Sequence, residues 1–326
     1  MSDRDTGARA FLERAGWGDA GIVPLAGDAS NRRYLRVRGA RAAVLMDAPP
    51  ERGEDVRPFL RVTELLRARG LSAPEVLARD EEAGFLLLED LGDDLFARVA
   101  GRVEERTLYA AAVDLLAELQ GREAPADLPP YDAKTCLTEA RLLTDWYLPG
   151  AGREVDRDRF DSLISAAVAP HLGRRAVVLR DYHAENLIWL PGRCGVARVG
   201  LLDYQDALAG HPAYDLVSLL EDARRDTSEA LRQEMIARFM AATGAGPDFA
   251  AAYAAFGAQR NIKIIGIFAR LWLRDGKGAY LDLMPRVWDH LQRDLAHPAL
   301  AALRDWVAAH VPAPDAAIRA RIRAAR

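Results

Sequence analysis

The feature of this sequence that most restricts its fold is a change of hydrophobic pattern near residue 94. Before it, short apolar runs such as "RRYLRVRG", "RAAVLMDAPP" and "GFLLLEDLG" are separated by polar turns, which predicts a small sheet. One amphipathic helix, "EDVRPFLRVTELLRARG", interrupts these strands and ends at Gly70. After residue 94, Ala/Leu/Arg-rich segments with helical periodicity dominate, and strand-like segments occur only around 176–205. We therefore expect a bilobed α+β fold, with a β-rich lobe at 1–91 and a mainly helical lobe at 92–326.

Composition excludes several classes of protein. The chain has 326 residues, 50% of them hydrophobic, which is enough for a sizeable core. Its 44 basic and 48 acidic residues are interleaved and give a formal charge of −4, so no nucleic-acid partner is expected. Cys136 and Cys194 are too far apart in sequence to indicate a disulfide framework or a zinc site. No run reaches the roughly 18 apolar residues of a membrane span, so we expect no membrane partner and a cytoplasmic location.

A polar cluster precedes the apolar run of "LRDYHAENLIWL", where Asp181 and Asn186 are five positions apart. Asp203 ends the next strand-like segment, after the turn "PGRCG", and a hairpin would return it to the side of Asn186. Phosphoryl transfer uses a carboxylate to accept the proton of the nucleophilic hydroxyl, and it uses oxygen ligands to hold Mg²⁺. At this spacing Asp181 would supply such a carboxylate, and Asn186 with Asp203 would supply such ligands.

A second candidate segment is the turn "AGDASNRRY". Gly27 allows the backbone to approach a phosphate closely, and Ser30 and Asn31 supply hydrogen-bond donors. An ordinary hairpin turn explains the same residues, and that alternative stays open.

The segments "RDYHAEN", "LLDYQDA" and "GHPAYDL" resemble the catalytic and metal-binding segments of the aminoglycoside and choline phosphotransferase family, the small-molecule branch of the protein-kinase-like fold. The resemblance implies ATP and Mg²⁺ as cofactors. It aligns Asp181 with the catalytic aspartate of the family, and Asn186 and Asp203 with its metal ligands. The segment "FLLLEDLG" resembles the hinge of that fold, where backbone atoms of Glu89 and Leu91 would hold adenine.

Within that family, "GDASNRRYLRV", "LRDYHAENLIWL" and "RNIKIIGIFARLWLRDGK" resemble the bacterial anomeric kinases of N-acetylmuramate and N-acetylglucosamine. This resemblance implies a nucleotide and a small-molecule sugar as partners, with ATP phosphorylating the C1 hydroxyl of the amino sugar in cell-wall recycling. Another acceptor, such as an aminoglycoside, choline or homoserine, stays open as an alternative. A nucleotide-binding pseudokinase without turnover is a third alternative.

The sequence departs from kinases at the third strand, where a lysine usually grips the phosphates and this chain has Met46. No lysine precedes Lys134. Arg32 and Arg33 are the candidate replacements, because a guanidinium can contact phosphate through two donors. The alternative is that both arginines lie on the solvent face of a strand.

Three residues are candidates for contacting the acceptor: His183, Glu139 and Arg270. Arg270 suits an acidic group such as the lactyl carboxylate of a muramic acid. A loop histidine bonded to nearby backbone, and salt bridges from Arg270 to local acids, are the competing interpretations.

Overall fold

A computed structural model describes residues 3–25 and 31–326, and these form two compact units. The first, called the sheet unit here, contains the chain up to Val103 together with Glu185–Asp206. The second, called the helical unit, contains Glu104–Ala184 and Ala207–Arg326. The α+β composition predicted from the sequence is confirmed. The assignment of nucleotide binding to 1–91 and of catalysis to 92–326 stays a prediction.

The sheet unit is built on five antiparallel strands in the order β1-β2-β3-β5-β4. They are β1 (Gly21–Pro24), β2 (Arg33–Arg38), β3 (Ala42–Asp47), β4 (Val76–Asp80) and β5 (Phe85–Glu89). Alternation along the strands sends Val37, Leu45 and Leu87 to one face, where they pack against Phe11 and Leu12. Those two residues belong to helix α1 (Asp3–Arg14), which the sequence did not predict because few of its residues are apolar.

Two further helices and a short hairpin complete this unit. Helix α2 (Arg57–Ala68) is the predicted amphipathic helix, and α3 (Phe96–Val99) is a single turn. The hairpin pairs strands β7 (Leu187–Trp189) and β8 (Val199–Leu201) in antiparallel register. Strand β6 (Ala176–Val178) belongs to the helical unit, where it pairs with β9 (Leu208–Gly210).

The helical unit contains a large cluster of buried apolar residues. Its helices are α4 (Glu105–Gln120), α5 (Ala133–Ala140), α6 (Leu148–Gly150), α7 (Arg157–Val168), α8 (Ala213–Leu220), α9 (Glu229–Thr243), α10 (Phe249–Leu273), α11 (Met284–Leu295), α12 (Ala301–His310) and α13 (Ala316–Ala324). Helices α11 and α12 are separated at Pro298, whose ring and missing N–H do not fit the interior of a helix. Among the helices of the described ranges, none has the length and apolar composition needed to cross a bilayer.

Helix α10 contains two glycines at positions where a side chain would not fit. A Cβ on Gly266 would lie 2.2 Å from the carbonyl carbon of Leu142, and one on Gly257 would lie 2.5 Å from an oxygen of Asp294. Glycine inside a helix costs stability relative to alanine. Here glycine allows α10 to pack closely against the backbone at Leu142 and against the carboxylate of Asp294.

Candidate active site

The hairpin brings together the two predicted metal ligands, Asn186 and Asp203. The N–H of Leu202 donates to the carbonyl of Asn186 at 3.0 Å, which continues the pairing of β7 with β8. The predicted hairpin geometry is therefore confirmed. Asp203 has a φ of 55°, in the left-handed region that non-glycine residues seldom adopt, and the side chain of Gln205 donates to its Oδ1 at 2.7 Å. A carboxylate and an amide thus lie at the same end of one hairpin.

A cavity of about 650 Å³ lies in the sheet unit. Its lining includes Glu89 and Leu91 of the predicted hinge together with Asn186 and Asp203. The volume falls within the range of sites for small molecules. The structure therefore brings the predicted hinge and the predicted metal ligands to a single cavity.

The hinge residue Glu89 has fixed partners. Its N–H donates to the carbonyl of Glu75 at 2.8 Å, and its carboxylate pairs with Arg193. Adenine presents an amino donor and ring-nitrogen acceptors. The complementary backbone groups would be the carbonyl of Glu89 and the N–H of Leu91.

The arginines proposed to contact phosphate do not line this cavity. Arg32 donates to Glu54 at 2.8 Å, and Arg33 donates to the buried Asp47 at 2.8 Å. Asn31 is also held locally, because its N–H donates to Glu54 at 3.1 Å. The remaining two residues of the predicted turn, Gly27 and Ser30, lie outside the described residues.

A different arginine, Arg36 of β2, does line the cavity. It lies opposite Val44 in the sheet register, two residues along from the pair Tyr34 and Met46, so it shares the cavity face with Met46. Its guanidinium pairs with Asp90 and Asp93, each at 2.7 Å. Sequence reasoning missed Arg36, because its place on this face depends on the register between β2 and β3.

The predicted base, Asp181, is exposed and follows a tightly held backbone segment. The carboxylate of Asp215 accepts hydrogen bonds from the N–H groups of Leu179 at 2.6 Å and Arg180 at 2.9 Å. Ser218 donates to the carbonyl of Arg180, whose φ of 72° lies in the left-handed region. Asp215 is the third residue of α8, so it braces this loop and does not cap the helix.

Burial raises the pKa of Asp215 to about 7, although its two backbone donors act in the opposite direction. Burial lowers the pKa of His183 to about 4, with the charges of Asp222, Arg224 and Asp181 as smaller influences. His183 is 8% exposed. At neutral pH it is therefore an uncharged group two residues after the predicted base.

The second acceptor candidate, Glu139, belongs to a buried network. Its Oε1 accepts from Lys263 at 2.8 Å and from Arg180, and its Oε2 accepts from Tyr131 at 2.6 Å and more weakly from Gln259. Burial acts to raise the pKa of Glu139, but Lys263 and Arg180 outweigh it and lower the pKa to about 2. Both carboxylate oxygens are therefore committed to protein donors.

The third candidate, Arg270, lies further along α10. Seven residues separate it from Lys263, which is about 10 Å along a helix axis. Burial and the neighbouring Arg274 lower its pKa. The structure therefore does not bring Arg270 into the network that contains Glu139.

The donor set of the hairpin suits magnesium. Mg²⁺ prefers oxygen ligands and commonly takes one or two from protein, with phosphate oxygens and water as the others. Asn186 and Asp203 supply one amide oxygen and one carboxylate. Within residues 3–25 and 31–326, no group of three or more His, Cys, Asp or Glu side chains is arranged to hold a metal.

A five-stranded sheet with a cavity at its hinge, a hairpin carrying Asn and Asp, and a braced Asp loop define a phosphotransferase of the protein-kinase-like fold. The chain belongs to the phosphotransferase enzyme family, whose family model matches residues 21–253.

Similar proteins agree with this assignment. An N-acetylmuramate/N-acetylglucosamine kinase of Caulobacter vibrioides is 39% identical, over 95% of this chain and 98% of its own length. Another of the same name from Pseudomonas aeruginosa is 38% identical over 90% of each chain. Among solved structures, the choline kinase LicA from Streptococcus pneumoniae matches with a TM-score of 0.64 and 14% identity, over 92% of this chain and all of its own. The predicted fold class and family are confirmed.

Proposed function

We propose that this protein uses ATP to phosphorylate the anomeric C1 hydroxyl of an amino sugar, N-acetylmuramate or N-acetylglucosamine. The observation that carries this proposal is the name shared by relatives that match almost the entire length of the chain at 38–39% identity. Because ATP is the phosphoryl donor, we expect the reaction to take place in the cytoplasm. The product, a sugar 1-phosphate, suits the cell-wall recycling that the resemblance implies.

Each proposed role follows from the position of a residue. Asn186 and Asp203 would hold Mg²⁺, which supplies neutralisation of phosphate charge when it is bound. The Glu89 carbonyl and the Leu91 N–H orient adenine. Asp181 accepts the proton of the C1 hydroxyl as the oxygen of that hydroxyl bonds to phosphorus and the bond between phosphorus and the ADP oxygen breaks.

The loop before Asp181 contributes by limiting its movement. The carboxylate of Asp215 accepts hydrogen bonds from the N–H groups of the two residues before Asp181, and the hydroxyl of Ser218 donates to the carbonyl of Arg180. A base whose backbone is fixed on both faces needs little reorganisation when the acceptor hydroxyl arrives.

The substitution Asp181→Asn tests the assignment. We expect kcat for amino-sugar phosphorylation to fall by about 10²- to 10⁴-fold, because a general base contributes that much, while ADP affinity is unchanged. Asp114→Asn is the matched control, since Asp114 forms an exposed ion pair with Arg238. The position of the phosphate is read by ³¹P and ¹³C NMR. Undiminished turnover of D181N, or phosphate on a hydroxyl other than C1, would refute the corresponding part of the proposal.

A further inference from the structure

Asp222 directly follows helix α8 and is a buried acid with an unsatisfied oxygen. It is 2% exposed, and its Oδ1 accepts the N–H of Arg224 at 2.9 Å. Its Oδ2 is buried without a hydrogen-bond partner in the structure. A buried carboxylate oxygen in this state is costly unless a ligand or a water molecule donates to it.

Arg260 on α10 is a buried cation with an unsatisfied hydrogen-bond donor. It is 6% exposed, and its Nη1 is buried without an acceptor. The residues next to Asp222 and Arg260 are joined directly, because the amide of Asn261 donates to Glu221 at 2.7 Å. This bond ties the end of α8 to the middle of α10, so an unsatisfied acceptor and an unsatisfied donor are held in the same region.

This region adjoins the proposed base. Asp222, Arg260 and Asp181 all act electrostatically on the buried ring of His183, and all four belong to the helical unit. Arg260 also acts on Asp215, which braces the loop before Asp181. Contacts link the same two helices to the loop before Asp181: Asp215 and Ser218 of α8 bond its backbone. Lys263, three residues after Arg260 on α10, shares the carboxylate of Glu139 with Arg180.

We propose that Asp222 and Arg260 bind the acceptor sugar, through a neutral group that donates one hydrogen bond to Asp222 Oδ2 and accepts one from Arg260 Nη1. A ring hydroxyl meets this requirement with one oxygen, and an acetamido group meets it with its N–H and its carbonyl. Both groups occur in N-acetylmuramate and in N-acetylglucosamine. The lactyl carboxylate occurs only in the first, and Asp222 would repel it.

This inference rests on the proposed function, since it names the residues that recognise the acceptor. It explains how one site accepts two sugars, because the pair binds what they share and leaves the lactyl position uncontacted. It also differs from the sequence prediction, which selected His183, Glu139 and Arg270. The carboxylate of Glu139 is occupied by four protein donors, whereas Asp222 retains an oxygen for a ligand.

The first test compares Asp222→Asn and Arg260→Gln with wild type on both sugars. We expect KM to rise about 10- to 100-fold for each sugar and by a similar factor for the two, because a hydrogen bond to a charged group is lost. ADP affinity and the urea midpoint should stay at wild-type values. Arg238→Gln is the matched control, since Arg238 forms an exposed ion pair on α9 and should leave KM unchanged. An unchanged KM in both variants would overturn the inference, as would a rise for N-acetylmuramate alone.

The second test uses folded wild type, so it does not depend on the stability of the variants. Deoxy and desacetamido analogues of N-acetylglucosamine are assayed with wild type and with D222N. The analogue that lacks the contacted group should have a raised KM with wild type, and D222N should raise it no further. If the effects of analogue and variant multiply for every analogue, Asp222 does not contact the sugar. If wild type phosphorylates neither sugar, the proposed function itself is refuted. If wild type phosphorylates both sugars but the effects of analogue and variant on KM multiply, only the assignment of Asp222 to the sugar site is refuted.

Discussion

The buried ion network around Glu139 supports a quantitative prediction about stability. The carboxylate of Glu139 is 11% exposed and pairs with Lys263 and Arg180, whose side chains are 13% and 21% exposed. The substitution Glu139→Gln removes the carboxylate that forms ion pairs with both of these cations. Breaking a buried pair by removing one partner costs about 3–5 kcal/mol, since a desolvated charge is left uncompensated.

The assay is equilibrium unfolding in urea at neutral pH, with the slope m compared to check that the same surface is exposed. We expect E139Q to lose about 3–5 kcal/mol, a large part of the stability of an ordinary domain. The double variant E139Q/K263M should lose at least about 1 kcal/mol less than the sum of the two single variants, because it removes one of the orphaned cations.

Glu234→Gln is the matched control, because Glu234 pairs with Arg106 at an exposed position where an ion pair contributes about 1 kcal/mol or less. A loss below about 1 kcal/mol for E139Q would refute the reasoning, as would additivity of the double variant within about 0.5 kcal/mol. Either result would mean that water or a local rearrangement compensates the cations.

Two further outcomes follow from buried contacts. The hydroxyls of Tyr204 and Thr63 lie 2.7 Å apart, and Tyr204 is the donor when the hydroxyl of Thr63 donates to the carbonyl of Phe59. Because Tyr204 follows Asp203, Tyr204→Phe should lower the free energy of unfolding by about 1–2 kcal/mol and raise the Mg²⁺ concentration for half-maximal activity. Unchanged melting and Mg²⁺ dependence would contradict this. The pKa of His183 is about 4 in the folded protein and 6.5 in the unfolded chain. The stabilisation that comes from its uncharged form is therefore fully present above pH 6.5 and is lost as the pH falls toward 4. The free energy of unfolding of wild type relative to His183→Gln should fall by about 3 kcal/mol over that interval, a comparison that cancels the opposite slope of Asp215, and a constant difference would contradict it.

Local pattern was sufficient to predict the elements that carry the site. Asn186 and Asp203 flank two apolar runs joined by a Pro/Gly turn, and that arrangement specifies a hairpin without knowledge of the remaining fold. Helix α2 was predicted for a similar reason, because its apolar residues follow helical spacing to Gly70. The prediction of catalytic roles went beyond this pattern and depended on a family resemblance.

What the sequence did not indicate depends on contacts between distant segments. Arg36 is one of several strand arginines, and only the register between β2 and β3 places it on the cavity face. Asp222 and Arg260 look like ordinary members of charged segments until the packing of α8 and α10 buries both and leaves one atom of each without a partner. Helix α1 was missed because few of its residues are apolar, and the burial of those few depends on a sheet face that forms elsewhere.

The third strand of this chain has Met46 where kinases usually have a lysine, and this difference affects chemical labelling. Lysines occur only at 134, 263 and 277, and all three lie in the helical unit, so the sheet unit contains no side-chain amine. Reagents that profile kinases by delivering an acyl group from a nucleotide to a nearby lysine would find no lysine among the residues that line the cavity. The cations there are the guanidinium groups of Arg36 and Arg98, which remain protonated and unreactive at ordinary pH. A covalent probe for the sheet unit therefore has to use other chemistry, such as reaction with the exposed thiol of Cys194 in the turn of the β7–β8 hairpin.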